Sequence, residues 1–264
     1  MSKVIAIANQ KGGVGKTTTT INLAASLSLE SKRILLVDLD PQGNSTTGMG
    51  VERSQLAASI YHVLDGTRFI GEVLCQTELE QLVLVPATKD LVGAEVELVN
   101  ADRREYRLKE ALASVTAHYD YVLLDCPPSL GLLTLNALTA AESLLVPIQS
   151  EYYALEGLGS ILETMNLVQE SLNSALHLEG IIITMFDSRN RLSHQVVEEI
   201  RAHFPDKLFN TIIRRNVRLS ESPSYGKPIC LYDPASTGAQ DYRDLAKELI
   251  NRGEHDVNAE KRLG

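Results

Sequence analysis

An α/β fold, a doubly wound and mostly parallel sheet with helices on both faces, is what the sequence predicts. Three observations lead there. Short apolar runs alternate with longer stretches of helical period from one end of the 264-residue chain to the other. Several of the runs are apolar at consecutive positions, as strands buried on both faces are. A glycine-rich turn, Gly12-Gly13-Val14-Gly15, joins the first run directly to a helix-forming segment.

Strands are expected over 4–8, 33–37, 82–85, 121–124, 144–148 and 180–184, with weaker candidates over 208–209 and 211–213. Helices are expected over 16–29, 104–117, 132–140, 155–172, 194–202 and 239–252. In the last of these, Tyr242, Leu245, Ala246, Leu249 and Ile250 recur at i, i+3, i+4, i+7 and i+8, a stripe suited to packing on a core. Residues 253–264 are polar and aperiodic and read as a flexible tail, leaving 1–252 as a single domain. Nothing precedes the first strand, so no separate N-terminal DNA-reading module is expected.

Composition narrows the classes. With 44% hydrophobic and 22% charged residues the chain can bury a sizeable core, and no window of 18 apolar residues is present to span a membrane. The apolar run after Met1-Ser2-Lys3 is too short for a secretory signal, which points to the cytoplasm. Cys75, Cys126 and Cys230 lie 51 and 104 residues apart, a spacing that matches no metal or redox motif and suits buried thiols in a reducing compartment. The net charge of −9 argues against a nucleic-acid binder, yet from Arg189 to Arg218 seven basic residues face three acidic ones. On charge alone that segment fits a solvated face as well as a binding patch.

The chemistry begins after the first strand, at Asn9-Gln10-Lys11-Gly12-Gly13-Val14-Gly15-Lys16-Thr17-Thr18. Strand, glycine loop and helix form the context of a phosphate-binding loop. Its glycines let successive backbone N–H groups, here from Gly12 to Thr18, turn onto phosphate oxygens at the positive end of a helix. Lys16 adds a full charge, and Thr17 places a hydroxyl on Mg²⁺. Gln10 stands where the usual pattern has its first glycine, and Lys11 follows it.

Two further strands end in carboxylates. Asp38 and Asp40 close the second strand, at the edge where open α/β sheets bind ligands, and in an alternating strand both would face one way. Asp125 closes the apolar run Tyr121-Val122-Leu123-Leu124 and reads as a residue that reaches Mg²⁺ through water.

The loop Lys11-Gly12-Gly13-Val14-Gly15-Lys16-Thr17-Thr18 resembles the deviant Walker A loop of the ParA/MinD class of P-loop ATPases. Segments 146–157 and 216–228 are similar to the chromosome-partition members of that class, called Soj or small ParA, and the resemblance covers about residues 3 to 252. It implies an ATP-sandwich homodimer in which Lys11 crosses to the partner's nucleotide and Asp40 orients the attacking water. Pro127-Pro128-Ser129-Leu130-Gly131 looks like a second switch segment. Arg214 and Asn216 lie in the segment that edges the adenine, Arg214 replacing the proline of close relatives. Arg189 and Arg218 match arginines that hold double-stranded DNA without sequence preference on the nucleoid. A centromere-binding protein of the ParB type is the implied partner that stimulates hydrolysis.

Two other classes fit the sequence less well. A MinD-like membrane-cycling ATPase shares the loop but needs a basic amphipathic helix at its C-terminus, and residues 253–264 carry Glu254, Asp256 and Glu260 against Lys261 and Arg262. A reductase with a metal cluster shared between subunits needs paired cysteines that the spacing does not supply. No membrane partner is expected.

Overall fold

A computed structural model describes residues 2–151 and 153–263. Seven strands form one sheet in the order β3-β4-β2-β5-β1-β6-β7. They are β1 (Lys3–Ile7), β2 (Ile34–Asp38), β3 (Cys75–Gln76), β4 (Leu82–Val85), β5 (Tyr121–Asp125), β6 (Ser143–Gln149) and β7 (His177–Thr184). All neighbours are parallel except the two-residue β3, which pairs antiparallel with β4 at the edge. The six principal predicted strands are present within a few residues, and β4 has the expected bounds.

The sheet separates two cores. Val4 and Ala6 of β1 face one apolar cluster while Ile5 and Ile7 face the other, the two-residue period of a strand buried on both sides. On the second face lie α1 (Lys16–Leu29), α10 (Ile229–Tyr232) and α11 (Thr237–Leu263). On the first lie α3 (Ile60–Leu64), α4 (Leu91–Glu97), α5 (Arg107–Leu112), α6 (Leu132–Ala140), α7 (Ala154–Ser171) and α8 (Arg191–His203). Two short helices, α2 (Asn44–Gly48) and α9 (Val217–Glu221), sit near the C-terminal ends of the strands. Cys126 belongs to the first core, Cys75 and Cys230 to the second.

β1 is central, flanked by β5 and β6, so chain connections diverge to either side of it. The crevice at such a switch point is where open α/β sheets place their ligands, and the glycine loop opens into it.

Three expectations need correction. The helix over 104–117 is broken into a 3₁₀ turn at Arg104–Tyr106, α5, and a second 3₁₀ turn at Thr116–His118. Asn136 of α6 takes over the local bonding there, accepting from the Leu108 N–H at 3.1 Å and donating to the Arg104 carbonyl at 2.9 Å. The late strands over 208–209 and 211–213 reduce to isolated bridges, Ile181 with Leu208 and Phe186 with Arg214. Between those bridges the Glu248 carboxylate of α11 accepts from the Asn210 and Thr211 N–H groups at 2.8 Å, replacing a strand partner. Finally, α11 continues to Leu263 instead of ending at Arg252, with no proline to interrupt it. The side chains of residues 255–264, on which the tail and membrane-helix readings turned, lie outside the described residues. Among the described residues no helix is long and apolar enough to cross a membrane.

Candidate functional site

The glycine loop spans β1 and α1 and is built by backbone geometry first. Gly13 and Gly15 hold φ of +75° and +86°, the left-handed region that a side chain disfavours. Asn9 steers the loop's entry: its Oδ1 accepts from the Lys11 N–H at 2.9 Å and its amide donates to the Pro147 carbonyl at 2.9 Å. Thr184, at the end of β7, anchors the loop's centre by donating to the Val14 carbonyl at 2.7 Å.

The loop walls a cavity of about 380 Å³ that also touches Asp40, Gln42, Asn44, Pro128 and Met185. Gly12, Gly13, Gly15, Lys16, Thr17 and Thr18 all line it, and Val14 is buried behind them. Lys16 is buried, and its Nζ donates to the Lys11 carbonyl at 3.3 Å. Burial pushes the Lys16 ammonium below its ordinary pKa, against the opposing pull of Asp125 and Asp40. An anionic ligand would act in the opposite direction and raise it.

Lys11 points elsewhere. Its Nζ is 2.7 Å from Glu151 Oε2 in a solvent-facing ion pair. Sequence reasoning did not find that partner, because 140 residues separate the two.

The two carboxylates after β2 are separated by the structure, against the expectation that both face one way. β2 ends at Asp38, and Asp40 lies in a turn closed by the Gly43 N–H donating to the Asp40 carbonyl at 2.8 Å. Asp40 lines the cavity, whereas Asp38 is fully buried. Asp38 accepts from the Thr46 N–H at 2.8 Å, the Thr46 hydroxyl at 2.7 Å and the Asp40 N–H at 3.1 Å. It therefore holds the turn that presents Asp40. Arg53 supports the same turn from outside, donating to the Gln42 carbonyl and packing against Gly43, where a Cβ would lie 2.6 Å from its guanidinium.

Asp125 is fully buried beneath the loop. Three hydroxyls converge on it: Ser45 at 2.7 Å, Thr20 at 3.2 Å, and Thr17. Burial raises the Asp125 pKa, with these hydroxyls opposing, and burial together with the nearby Asp125 charge raises that of Asp38. A carboxylate held by hydroxyls under a phosphate loop is a hard oxygen donor set of the kind that suits magnesium, which Thr17 and Asp125 would hold. Such an ion would reverse the upward shift on Asp125. Ser45 and Thr20 carried no sequence signal, since neither spacing nor motif ties them to Asp125.

A second cavity of about 230 Å³ adjoins the first, sharing Gly15, Thr18 and Met185 with it. Arg214 and Asn216 line this one, where the resemblance puts the adenine. The Asn216 amide donates to Thr237 Oγ1 at 2.8 Å and its Oδ1 accepts from the Arg218 N–H at 2.8 Å, capping α9. One amide N–H and one lone pair of Asn216 remain for a base. The Arg214 guanidinium and its backbone N–H, the latter at 3.0 Å, are both taken up by the buried Asp241 of α11.

Arg189 and Arg218 lie outside both cavities. Arg189 follows β7 with its side chain 87% exposed and paired to Asp187 at 2.8 Å. Arg218, in the first turn of α9, pairs with Glu221 at 2.9 Å and Asp233 at 3.4 Å. The segments that carry them are joined by the Phe186–Arg214 bridge. Tyr152, within one of the resembling segments, lies outside the described residues.

Known proteins bear on this site. A family model described as an AAA domain matches residues 2–178. The chain is 57% identical over 252 residues to the chromosome partitioning protein ParA of Myxococcus xanthus, covering 96% of this chain and 89% of that one. It is 54% identical over 253 residues to the sporulation initiation inhibitor protein Soj of Bacillus subtilis, covering 96% and 100%. A crystal structure described as cobyrinic acid a,c-diamide synthase from Mycobacterium smegmatis, with bound ADP and magnesium, matches with a TM-score of 0.84 at 39% identity over 96% of each chain.

Proposed function

The chain belongs to the ParA/Soj family of chromosome-partitioning ATPases, and from that premise we propose that it works as a nucleotide-timed switch on DNA. The observation that carries the reading is the pair of adjoining cavities: a glycine cradle with a buried lysine, opening into a pocket of the size and lining for a base. Triphosphate and adenosine of one ATP fill the two together.

In this reading the backbone N–H groups of residues 12–18 and the Lys16 ammonium bind the phosphates. Magnesium, when bound, offsets charge on the terminal phosphates, with Thr17 and Asp125 as its protein partners. Asp40, held by the turn that Asp38 and Arg53 brace, orients a water for attack on the terminal phosphorus. Positioning of this kind supplies most of what phosphoryl transfer needs from a protein. Lys11 leaves Glu151 and crosses to the nucleotide of a second copy, closing an ATP-sandwich homodimer.

The dimer places the arginines of both subunits, Arg189 and Arg218, on duplex DNA. Phosphate contact needs charge and not base-edge readout, so binding is independent of sequence and falls with salt, with a log-log slope of about −3 to −4 for four arginines. Their present partners, Asp187, Glu221 and Asp233, are side chains that DNA phosphates replace. Hydrolysis returns monomers that release the nucleoid, and a ParB-type partner accelerates that step.

The test is DNA binding by the Asp40→Ala protein with ATP, with ADP and with no nucleotide, at two salt concentrations on two unrelated duplexes. Binding only with ATP, on both duplexes and weakened by salt, supports the switch. Indifference to DNA in every state, with ATP still dimerising the protein, removes Arg189 and Arg218 from the reading. Co-sedimentation with liposomes in the ATP state would favour a membrane-cycling role instead.

A further inference from the structure

The two cavities meet at one side chain. Gly15, Thr18 and Met185 line both. Gly15 has no side chain and Thr18 sits in the first turn of α1, so Met185 alone sends a long, adaptable side chain to the junction.

Its setting is built. The Met185 backbone has φ of +49°, in the left-handed region that residues with a Cβ avoid. Both neighbours are tied down. Thr184 donates to the Val14 carbonyl at 2.7 Å and the Ile148 carbonyl at 3.0 Å, while the Phe186 N–H donates to the Ile213 carbonyl at 3.0 Å. Strain that the surroundings over-determine in this way clusters at ligand-facing positions. The side chain is fixed as well: Gln149 Nε2 donates to Met185 Sδ at 3.4 Å, and the terminal methyl lies 3.5 Å from where a Cβ on Gly15 would be. A methionine used as loose filler would carry neither contact.

We propose that Met185 is a specificity-determining residue, its thioether forming the wall shared by the two cavities, against which the sugar and base of a bound nucleotide are seated. This rests on the nucleotide reading above and extends it to a residue that neither the loop motif nor the carboxylate pattern contains. A polarizable thioether makes favourable contact with an aromatic base, and the amide of Gln149 holds the sulfur at the junction. A ligand that spans both cavities then depends on Met185. A ligand confined to the phosphate cradle does not.

That difference is the test, made on the full chain with ATP and with inorganic tripolyphosphate, by calorimetry. Met185→Ala and Met185→Gly are expected to weaken ATP by about tenfold while tripolyphosphate binds as before, and Met185→Leu to recover most of the loss. Glycine adopts the left-handed backbone freely, so the Met185→Gly protein keeps its unliganded melting temperature and separates lost contact from lost fold. In turnover, the loss falls on KM more than on kcat. Equal weakening of ATP and tripolyphosphate, or no weakening of ATP, overturns the assignment. A native chain that binds neither ligand overturns the nucleotide reading itself, and Met185 with it.

Discussion

The phosphate cradle and the arginine segment both present positive charge, and they hold it in opposite ways. Lys16 is buried in a loop whose backbone is pinned by Asn9 and Thr184, with its ammonium destabilised by burial. Arg189 is mostly exposed and held by Asp187, two residues away. A charge kept out of water has few alternatives to its ligand, so its removal is costly and its specificity high. An exposed charge already paired with a local acid gains little on meeting a phosphate, so several must act together and salt competes. The first arrangement suits recognition of one small molecule, and the second suits reversible grip on a long uniform polyanion.

The contrast can be broken at its strong end first. Lys16→Ala is expected to lower nucleotide affinity by about 10²–10³-fold, read by titration with a fluorescent nucleotide. An affinity within a few-fold of native would mean that the cradle works without its buried cation. Next comes the support behind the cradle: Thr46→Val leaves the buried Asp38 short of a hydroxyl donor and should cost about 2 kcal/mol in urea unfolding. An unchanged midpoint would make Asp38 indifferent to its partner.

At the weak end the effects are smaller. Arg189→Ala should reduce ATP-dependent DNA affinity by about tenfold and flatten the log-log salt slope by about one for each arginine lost, with dimerisation intact. A steeper slope would place the patch elsewhere. Smallest is Asp187→Asn, which frees Arg189 from its ion pair and should tighten DNA binding by about twofold to threefold at low salt. If binding weakens instead, Asp187 orients Arg189 rather than competing for it.

What was legible in the sequence has a common character. The cradle is a contiguous motif shaped by its own backbone, and Gly12, Gly13, Gly15, Lys16, Thr17 and Thr18 line one cavity with Val14 buried behind them. The apolar runs marked the six longer strands for the same reason, since burial on both faces leaves its trace in consecutive residues. The resemblance to the ParA/Soj class, carried by Lys11 and the segments around 146–157 and 216–228, was upheld by the relatives.

The rest waited for the tertiary structure because it joins residues distant in the chain. Glu151 meets Lys11 across 140 positions, and Ser45 meets Asp125 across 80. That Asp38 supports while Asp40 lines the cavity depended on where β2 gives way to the turn, whose bonds to Asp38 come from Thr46 and from Asp40's own N–H. The break in the helix over 104–117 came from Asn136, and the bridges at Leu208 and Arg214 from Glu248 of α11. Periodicity and motif report what a residue does with its near neighbours. A hydrogen bond satisfied by a side chain from another element leaves no local mark, and in this protein such bonds decide which carboxylate is scaffold and which lines the cavity.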